Sequence, residues 1–470
     1  MCGLLRAHWR MFFSCLLFLI GSSADAQTEL LMNGSFRARG RTYDNLALLR
    51  APDSDTGTIG YFDQRLRLAP ELRVNEYLSV YGHFDVLPDL VWGSDPERLP
   101  FSNDRLEPIG QSQAFGLDAD TPLFFPRRIW AEIYAPFGRF KIGRSGMQVG
   151  SGMYFNDGNG DDADYGDTAD RLQFLTRLGS IYALIGYDMI YEGYLDRPLD
   201  AYAVAGAIAY RSELISGSAY LYYQNDKSRP DEGSTLSAEE SEYPSTLSMN
   251  VWNIDLWGRA ALGTFKLEVE GLIRYGHGDM VLESAADDSA DVIEDATIFQ
   301  YGGIARAGWN QGRLRMGVET GLASGDKDPQ DSRFSAFSFD RDYHIGFLLF
   351  RSCMPRRDLV AADESPAAVC DEAVTADAVT NAYYFAPSVG AKLPGDIGFK
   401  LTGLGAWNLV TSTELNHARD YGYEIDLQLS SHFFDRLSLV GTGALFLPGA
   451  VYGETRDFAL GGELRAVIRF

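Results

Sequence analysis

Glu463-Leu464-Arg465-Ala466-Val467-Ile468-Arg469-Phe470 closes the sequence. Leu464, Ala466, Ile468 and Phe470 alternate there with Glu463, Arg465, Val467 and Arg469. A period of two marks an extended strand with one apolar face. Phe62, Leu66, Leu68 and Leu72 repeat the pattern against Asp63, Arg65, Arg67, Glu71 and Arg73. Phe265, Leu267, Val269, Ile273 and Tyr275 repeat it against Lys266, Glu268, Glu270 and Arg274, as do Leu314, Met316, Val318 and Leu322 against Arg313, Arg315 and Glu319. In a soluble sandwich the apolar set faces a core and the charged set faces water. In a membrane barrel the apolar set faces lipid and the charged set lines the lumen. Alternation alone fits both.

Connection lengths separate the two readings, because a membrane barrel has tight turns at one end and long loops at the other. Tight-turn residues occur at Asn75-Glu76, Ala135-Pro136-Phe137-Gly138, Gly179-Ser180, Ser212-Glu213, Leu262-Gly263, Asn310-Gln311-Gly312, Pro394-Gly395-Asp396 and 431–435, each between alternating runs. Longer polar stretches come between successive turns. Eight hairpins plus a first and a last strand make eighteen. The fold class expected is therefore all-β, a transmembrane antiparallel β-barrel of eighteen strands with both termini periplasmic, an even count as in single-chain bacterial barrels. Residues 343–351 (YHIGFLLFR) would make a nineteenth strand; parity places them in the loop 325–380 instead. Among the long polar loops (87–126, 150–167, 225–248, 277–295), the first is the expected plug of the lumen.

The bulk properties agree. Arg6 and Arg10, an apolar run over 11–20 and Ala24-Asp25-Ala26 read as an export signal over 1–26, leaving 27–470 as the barrel. No later window has the 18 or more apolar residues of a membrane helix. Aromatic residues make up 13% and there are 49 glycines, which suits interface girdles and crowded, closed strands. A soluble β-propeller fits the same composition. Removing Arg6, Arg10 and Asp25 from totals of 41 and 65 leaves 39 basic against 64 acidic residues, a net charge of −25. That balance argues against nucleic acid as a partner. It leaves outer-membrane lipid, lipopolysaccharide held through divalent metal, and polar solutes. Cys353 and Cys370 remain after the signal is removed, and a disulfide closing an outer loop is the default in an oxidising compartment.

The inward set carries the candidate chemistry. Over the first five strands it comprises Arg37, Arg39, Arg41, Arg65, Arg67, Arg73, Arg128, Arg139 and Lys141, with Arg144 close by and with Asp63, Glu71, Asp85 and Glu132 on the same wall. Guanidinium groups bind carboxylates and phosphates in bidentate fashion, so the wall suits an anionic solute. The alternative is a lattice of salt bridges within the wall. Residues 156–167 (NDGNGDDADYGD) are rich in hard oxygen ligands, and Asp157, Asn159 and Asp161 have the 1-3-5 spacing of a calcium loop. Asp162 stands where that loop needs glycine and Thr168 where it needs a bidentate glutamate. A solvated acidic loop and a Ca2+ site, the one cofactor the sequence suggests, are the two readings.

Arg127-Arg128-Ile129-Trp130-Ala131-Glu132-Ile133-Tyr134, the turn, and Phe140-Lys141-Ile142-Gly143-Arg144 resemble the hairpin of alginate-export-type outer-membrane barrels. Phe62-Asp63-Gln64-Arg65-Leu66-Arg67 is similar to an early strand of that family. The final strand with its terminal Phe470 is likewise similar to the last strand of bacterial outer-membrane barrels. The resemblance covers the first third of the mature chain. It implies a monomeric eighteen-stranded channel whose electropositive pore takes an anionic polysaccharide. The acidic loops depart from that pattern.

Enzymes also occur among outer-membrane barrels. His83, with Asp85 two residues on, is the one histidine in an inward run beside a carboxylate. No Gly-x-Ser-x-Gly, His-Glu-x-x-His or Walker pattern is present. The expectation is a channel for a polar or anionic solute and not an enzyme. A closed barrel whose acidic loops bind a partner or surface glycan through divalent cations is the second reading.

Overall fold

The computed structural model describes residues 28–46, 48, 58–92, 124–191, 201–227, 246–283, 290–328, 331–352, 354, 377–411, 418–453 and 456–470. The signal segment, Cys353, Cys370 and most of the loops 87–126, 225–248 and 355–376 lie outside them.

The first half of the wall runs β1 (Glu29–Asp44), β2 (Thr58–Asn75), β3 (Leu78–Val91), β4 (Phe124–Ala135), β5 (Gly138–Gly146), β6 (Thr168–Leu178), β7 (Ile181–Tyr191), β8 (Ala201–Arg211) and β9 (Ile215–Asp226). The second half runs β10 (Thr246–Leu262), β11 (Phe265–Glu283), β12 (Ala290–Gln311), β13 (Leu314–Ala323), β15 (Ala382–Leu393), β16 (Ile397–Asn408), β17 (Asp420–Phe433), β18 (Leu437–Pro448) and β19 (Ala459–Arg469). The two-residue β14 (Arg333–Phe334) pairs in parallel with Thr297 and Ile298 of β12 and is not part of the wall, since β13 pairs directly with β15. Eighteen strands thus form the wall, each antiparallel to its neighbours.

β1 pairs with β19 from Ser35↔Arg469 to Asp44↔Leu460, which closes the sheet into a barrel. Gly34 and Phe470 exchange backbone hydrogen bonds of 3.0 and 3.1 Å, so the terminal residue completes the seam. Closure leaves no sheet edge, the condition for a sheet to stand in hydrocarbon. All eight expected tight turns join consecutive strands. Gly263 and Gly312 hold φ of +63° and +59° there, a conformation that costs glycine least.

Burial decides between sandwich and barrel. Ile142, Leu172, Ile185, Ile208, Leu256, Val269, Phe385, Ile425 and Leu464 lie exposed on the outer face, while Arg37, Arg39, Asp63, Arg65, Asp85 and Glu132 are buried inside. An apolar belt running around the whole wall has no place in water and suits lipid.

The apolar core lies inside the barrel, built on two segments that fold into it. Residues 147–167 enter between β5 and β6, and residues 331–352 enter between β13 and β15. Phe337, Phe339, Phe347, Leu348, Leu349 and Phe350 of the second segment pack with Met153 of the first and with Tyr43, Leu272, Tyr384, Tyr421 and Phe446 of the wall. Residues 343–351 are therefore not a strand. The Glu424 carboxylate of β17 accepts the N–H groups of Phe347, Leu348 and Leu349 at 2.6, 2.8 and 2.6 Å, so these donors need no neighbouring strand. Gly461 on β19 makes room for the Phe347 ring: a Cβ there would lie 2.7 Å from Phe347 Cε1. Of residues 87–126, the expected plug, only the flanks in β3 and β4 are described.

Candidate functional site: the lumen and its two inner segments

Alternation along β1 and β2 points Arg37, Arg39 and Arg41, then Asp63, Arg65 and Arg67, into the lumen. Part of this wall neutralises itself. Arg39 Nε donates to Asp63 at 2.9 Å, and Arg67 donates twice to Asp85 of β3, at 2.7 and 3.0 Å. The rest is held by residues 157–167, through carbonyl oxygens and carboxylates. Carbonyl oxygens of Gly158 and Ala163 accept from Arg67 at 2.8 Å and from Arg65 at 2.6 Å, and Ala163 also accepts from Arg37 at 3.0 Å. The Asp164 carboxylate bridges Arg37 at 2.5 Å and Arg39 at 2.8 Å. Asp162 takes Arg351 at 2.7 Å together with Arg465, and Asp161 pairs with Arg469.

The acidic stretch is thus not a solvated outer loop: it is the counter-charge of the arginine wall. Among the calcium-spaced residues, Asp157 accepts from the Asn159 backbone and side chain at 3.0 and 2.7 Å, whereas Asp161 turns to Arg469.

Other expected positions sort by strand geometry. Glu132 on β4 accepts from Tyr134 at 2.7 Å and Arg139 at 2.9 Å, with Lys141 at 4.0 Å and also over the Trp130 ring. Arg73 pairs with Glu71 at 2.7 Å near the tight-turn end, where it is half exposed. Arg144 leaves the pore-lining set: it falls in phase with exposed Ile142, not with buried Ser145, and pairs at 2.7 Å with exposed Asp170. On the first five strands one lumenal arginine was missed. His83 pairs with Arg128 and Phe84 with Pro126, so Arg127 is the extra residue of a β-bulge and joins Arg128 on the inner face. It reaches Asp85 at 3.1 Å and the Tyr165 carbonyl at 2.6 Å. The Arg-Arg tandem after Pro126 was the available signal.

The opposite wall is different. Arg259 of β10, Lys266 and Glu268 of β11, Arg306 of β12, Glu319 of β13 and Lys400 of β16 line a cavity of about 370 Å³ roofed by His344 and Ile345. Arg306 holds both acids, Glu319 at 2.7 Å and Glu268 at 3.3 Å. Tyr343 and Tyr384 hydroxyls also donate to Glu319, at 3.0 and 2.8 Å. Arg259, Lys266 and Lys400 make no ion pair among the described residues. The cavity therefore carries uncompensated positive charge.

No family model matches the chain, and no curated protein matches it. Solved structures do. A BenF-like porin from Pseudomonas fluorescens Pf-5 is 9% identical with a TM-score of 0.53, covering 94% of this chain and 98% of that one. The outer membrane protein OpdK of Pseudomonas aeruginosa is 10% identical with a TM-score of 0.52, over 94% and 98% of the two chains. OccK9 (OpdG) of the same organism is 11% identical with a TM-score of 0.51, over 94% and 99%. The fold is that of an outer-membrane porin.

In this porin fold the two inner segments meet in the lumen and hold each other. Asp342 accepts the N–H groups of Asp164 and Tyr165, at 2.7 and 3.1 Å, and Arg341 lies 3.8 Å over the Tyr165 ring. Burial opposes the charge of Asp162, but Arg351 and Arg465 hold its carboxyl well below the usual range. Arg37, Arg39 and Arg41 do the same for Asp164 against its burial. Burial, then the nearby Arg351, drops His344 to about 3 and keeps it neutral. Asp340 and Asp167 lie near each other, and Arg341 and Arg128 offset their burial only in part. Burial pushes Asp167 up to about 6, and burial plus the Asp167 charge pushes Asp340 up to about 8.

Proposed function

We propose that this protein is a channel of the bacterial outer membrane that passes a polar, anionic solute and is not an enzyme. The observation that carries the reading is the cavity between residues 344–345 and the wall β10–β16, where Arg259, Lys266 and Lys400 make no salt bridge among the described residues. Fixed cations in a narrow, low-dielectric passage raise the local concentration of anions and favour their entry. The arginines of β1 are spent on Asp162 and Asp164, and Arg65 and Arg67 of β2 on the carbonyl oxygens of Ala163 and Gly158, so they serve the plug. The solute path follows the other wall.

Eighteen antiparallel strands bring both chain ends to the same end of the barrel, which we assign to the periplasm along with the tight turns. The apolar belt is then surrounded by outer-membrane lipid, with lipopolysaccharide at the long-loop rim. The likeness of residues 127–144 to alginate-export barrels favours a monomer. That likeness also suggests an anionic polysaccharide, but the two inner segments favour a small anion or a single extended chain.

Reversal potentials in planar bilayers under a KCl gradient test the proposal. Anion selectivity is the expected result. A barrel that conducts with cation selectivity overturns the anionic solute, and one with no conductance points to the closed, partner-binding barrel instead.

A further inference from the structure

Wall glutamates anchor both inner segments, but they are not used equally. On β17, Glu424 gives both carboxylate oxygens to N–H groups of 347–349. On β11, Glu270 gives only Oε2, to the Ser151 N–H at 2.6 Å, and its Oε1 has no hydrogen-bond partner. Asp255 of β10 lies within hydrogen-bond reach of the Glu270 carboxylate on the same inner face and is 1% exposed, yet no donor among the described residues reaches either of its own oxygens. The Ser151 hydroxyl is also buried, beside the Glu270 carboxylate but in no well-formed hydrogen bond. Asn253, two residues before Asp255 and 1% exposed, directs its amide nitrogen to the Tyr222 carbonyl and leaves its Oδ1 unpartnered. Gly150, at φ +55°, brings the loop backbone so close that a Cβ would lie 2.5 Å from the Glu270 carboxyl carbon.

Every unsatisfied atom in this group is an oxygen. No Lys, Arg or His pairs with either carboxylate among the described residues. Buried charges are paired or coordinate metals, and an unpaired one is costly. Two carboxylates, an amide oxygen and a hydroxyl form the hard-oxygen set of a calcium-class ion, and two negative charges balance one divalent cation. We propose that Asp255, Glu270, Asn253 and Ser151 form a divalent-cation site that fastens residues 147–167 to the wall at β10 and β11. The site is separate from the Asp157, Asn159, Asp161 triplet and does not depend on which solute the channel passes. Loading the site holds the inner segment in place, and stripping it frees the segment at Ser151.

The test uses the whole barrel in detergent, stripped with EDTA and titrated with Tb3+. Tyr220 faces Asp255 in register across β9 and β10 and serves as the sensitiser. The expected result is a saturable luminescence that Ca2+ displaces, with a rise in the thermal unfolding midpoint on adding Ca2+. Asp255→Asn and Glu270→Gln should weaken binding about tenfold or more, and Asp157→Asn should leave it unchanged. If Asp255→Asn does not fold, Ser151→Ala removes one ligand without changing charge and should weaken binding in the same direction. Wild-type affinity in Asp255→Asn, or in Ser151→Ala should it stand in, overturns the site. So does a wild-type protein with no Ca2+ response, in which the two carboxyl groups share a proton instead.

Discussion

Arg39 and Asp164 are 125 residues apart in the sequence and 2.8 Å apart in the lumen. Asp164 also holds Arg37, and neighbouring Asp162 holds Arg351 and Arg465, so one short acidic stretch neutralises arginines from β1, β19 and the second inner segment. Asp162→Asn/Asp164→Asn leaves these arginines buried without their counter-charge. Breaking a buried ion pair from one side costs about 3 kcal/mol or more. The variant should unfold at a lower temperature and show larger, noisier single-channel conductance as residues 157–167 leave the wall. Unchanged conductance would mean that the stretch does not limit the pore.

Glu424 supports the second inner segment by charge-assisted hydrogen bonds to three consecutive N–H groups. Hydrogen bonds to a charged group contribute about 1.5–3 kcal/mol each at most. Glu424→Gln keeps the size and one acceptor oxygen but loses the charge. It should cost about 2 kcal/mol in thermal or denaturant unfolding and speed proteolysis within 343–351. Wild-type resistance to proteolysis would show that packing of Phe347, Leu348 and Leu349 alone holds the segment.

The junction of the two segments sets a pH dependence. Asp340, raised to about 8 in the folded state, stabilises the closed junction when protonated. That stability is complete below the carboxylate's ordinary value and is lost as pH rises through about 8. His344 works the other way: held neutral down to about 3, it weakens the closed state as pH falls below its ordinary 6.5. Between pH 6.5 and 8.5 Asp340 acts with little opposition, beside Asp167, Asp342 and Arg341. Open-state occupancy should rise by up to about tenfold per pH unit there. Asp340→Asn should flatten the rise, as read from channel recordings across this range.

The wall was legible in the sequence because its signals are local. Alternation at Phe62–Leu72 and at 463–470 assigns faces, and residues such as Gly263 and Gly312 mark turns that the backbone needs whatever surrounds them. The filling of the barrel was not legible. Alternation shows that Arg39 faces inward but cannot show that Asp164 comes to meet it, because no local rule sets where a long loop goes. Residues 343–351 lacked the charged alternation of their neighbours, which was the sign that they pack on all sides. Arg127 was missed because a bulge before Arg128 shifts the inside–outside phase of β4 by one residue, whereas on unbulged β5 Gly143 takes the inward position and Arg144 the outward one.

The two basic walls should respond oppositely to charge removal. Lys266 and Lys400 line the cavity without an ion pair, so Lys266→Gln/Lys400→Gln removes cations that face solute and little else. Exposed charges contribute little to stability, so the unfolding midpoint should move by less than about 1 kcal/mol equivalent. Anion selectivity should fall strongly, since lumenal charges tune which ions enter. Arg39→Gln removes a partner of Asp63 and Asp164 instead. It should destabilise the barrel by about 3 kcal/mol while moving selectivity little, apart from the leak of a loosened plug. Measuring reversal potential and unfolding on both variants separates solute contact from support. If Arg39→Gln changes selectivity more than the lysine pair does, the anion travels along β1 and β2 and the pathway assigned to the β10–β16 wall is wrong.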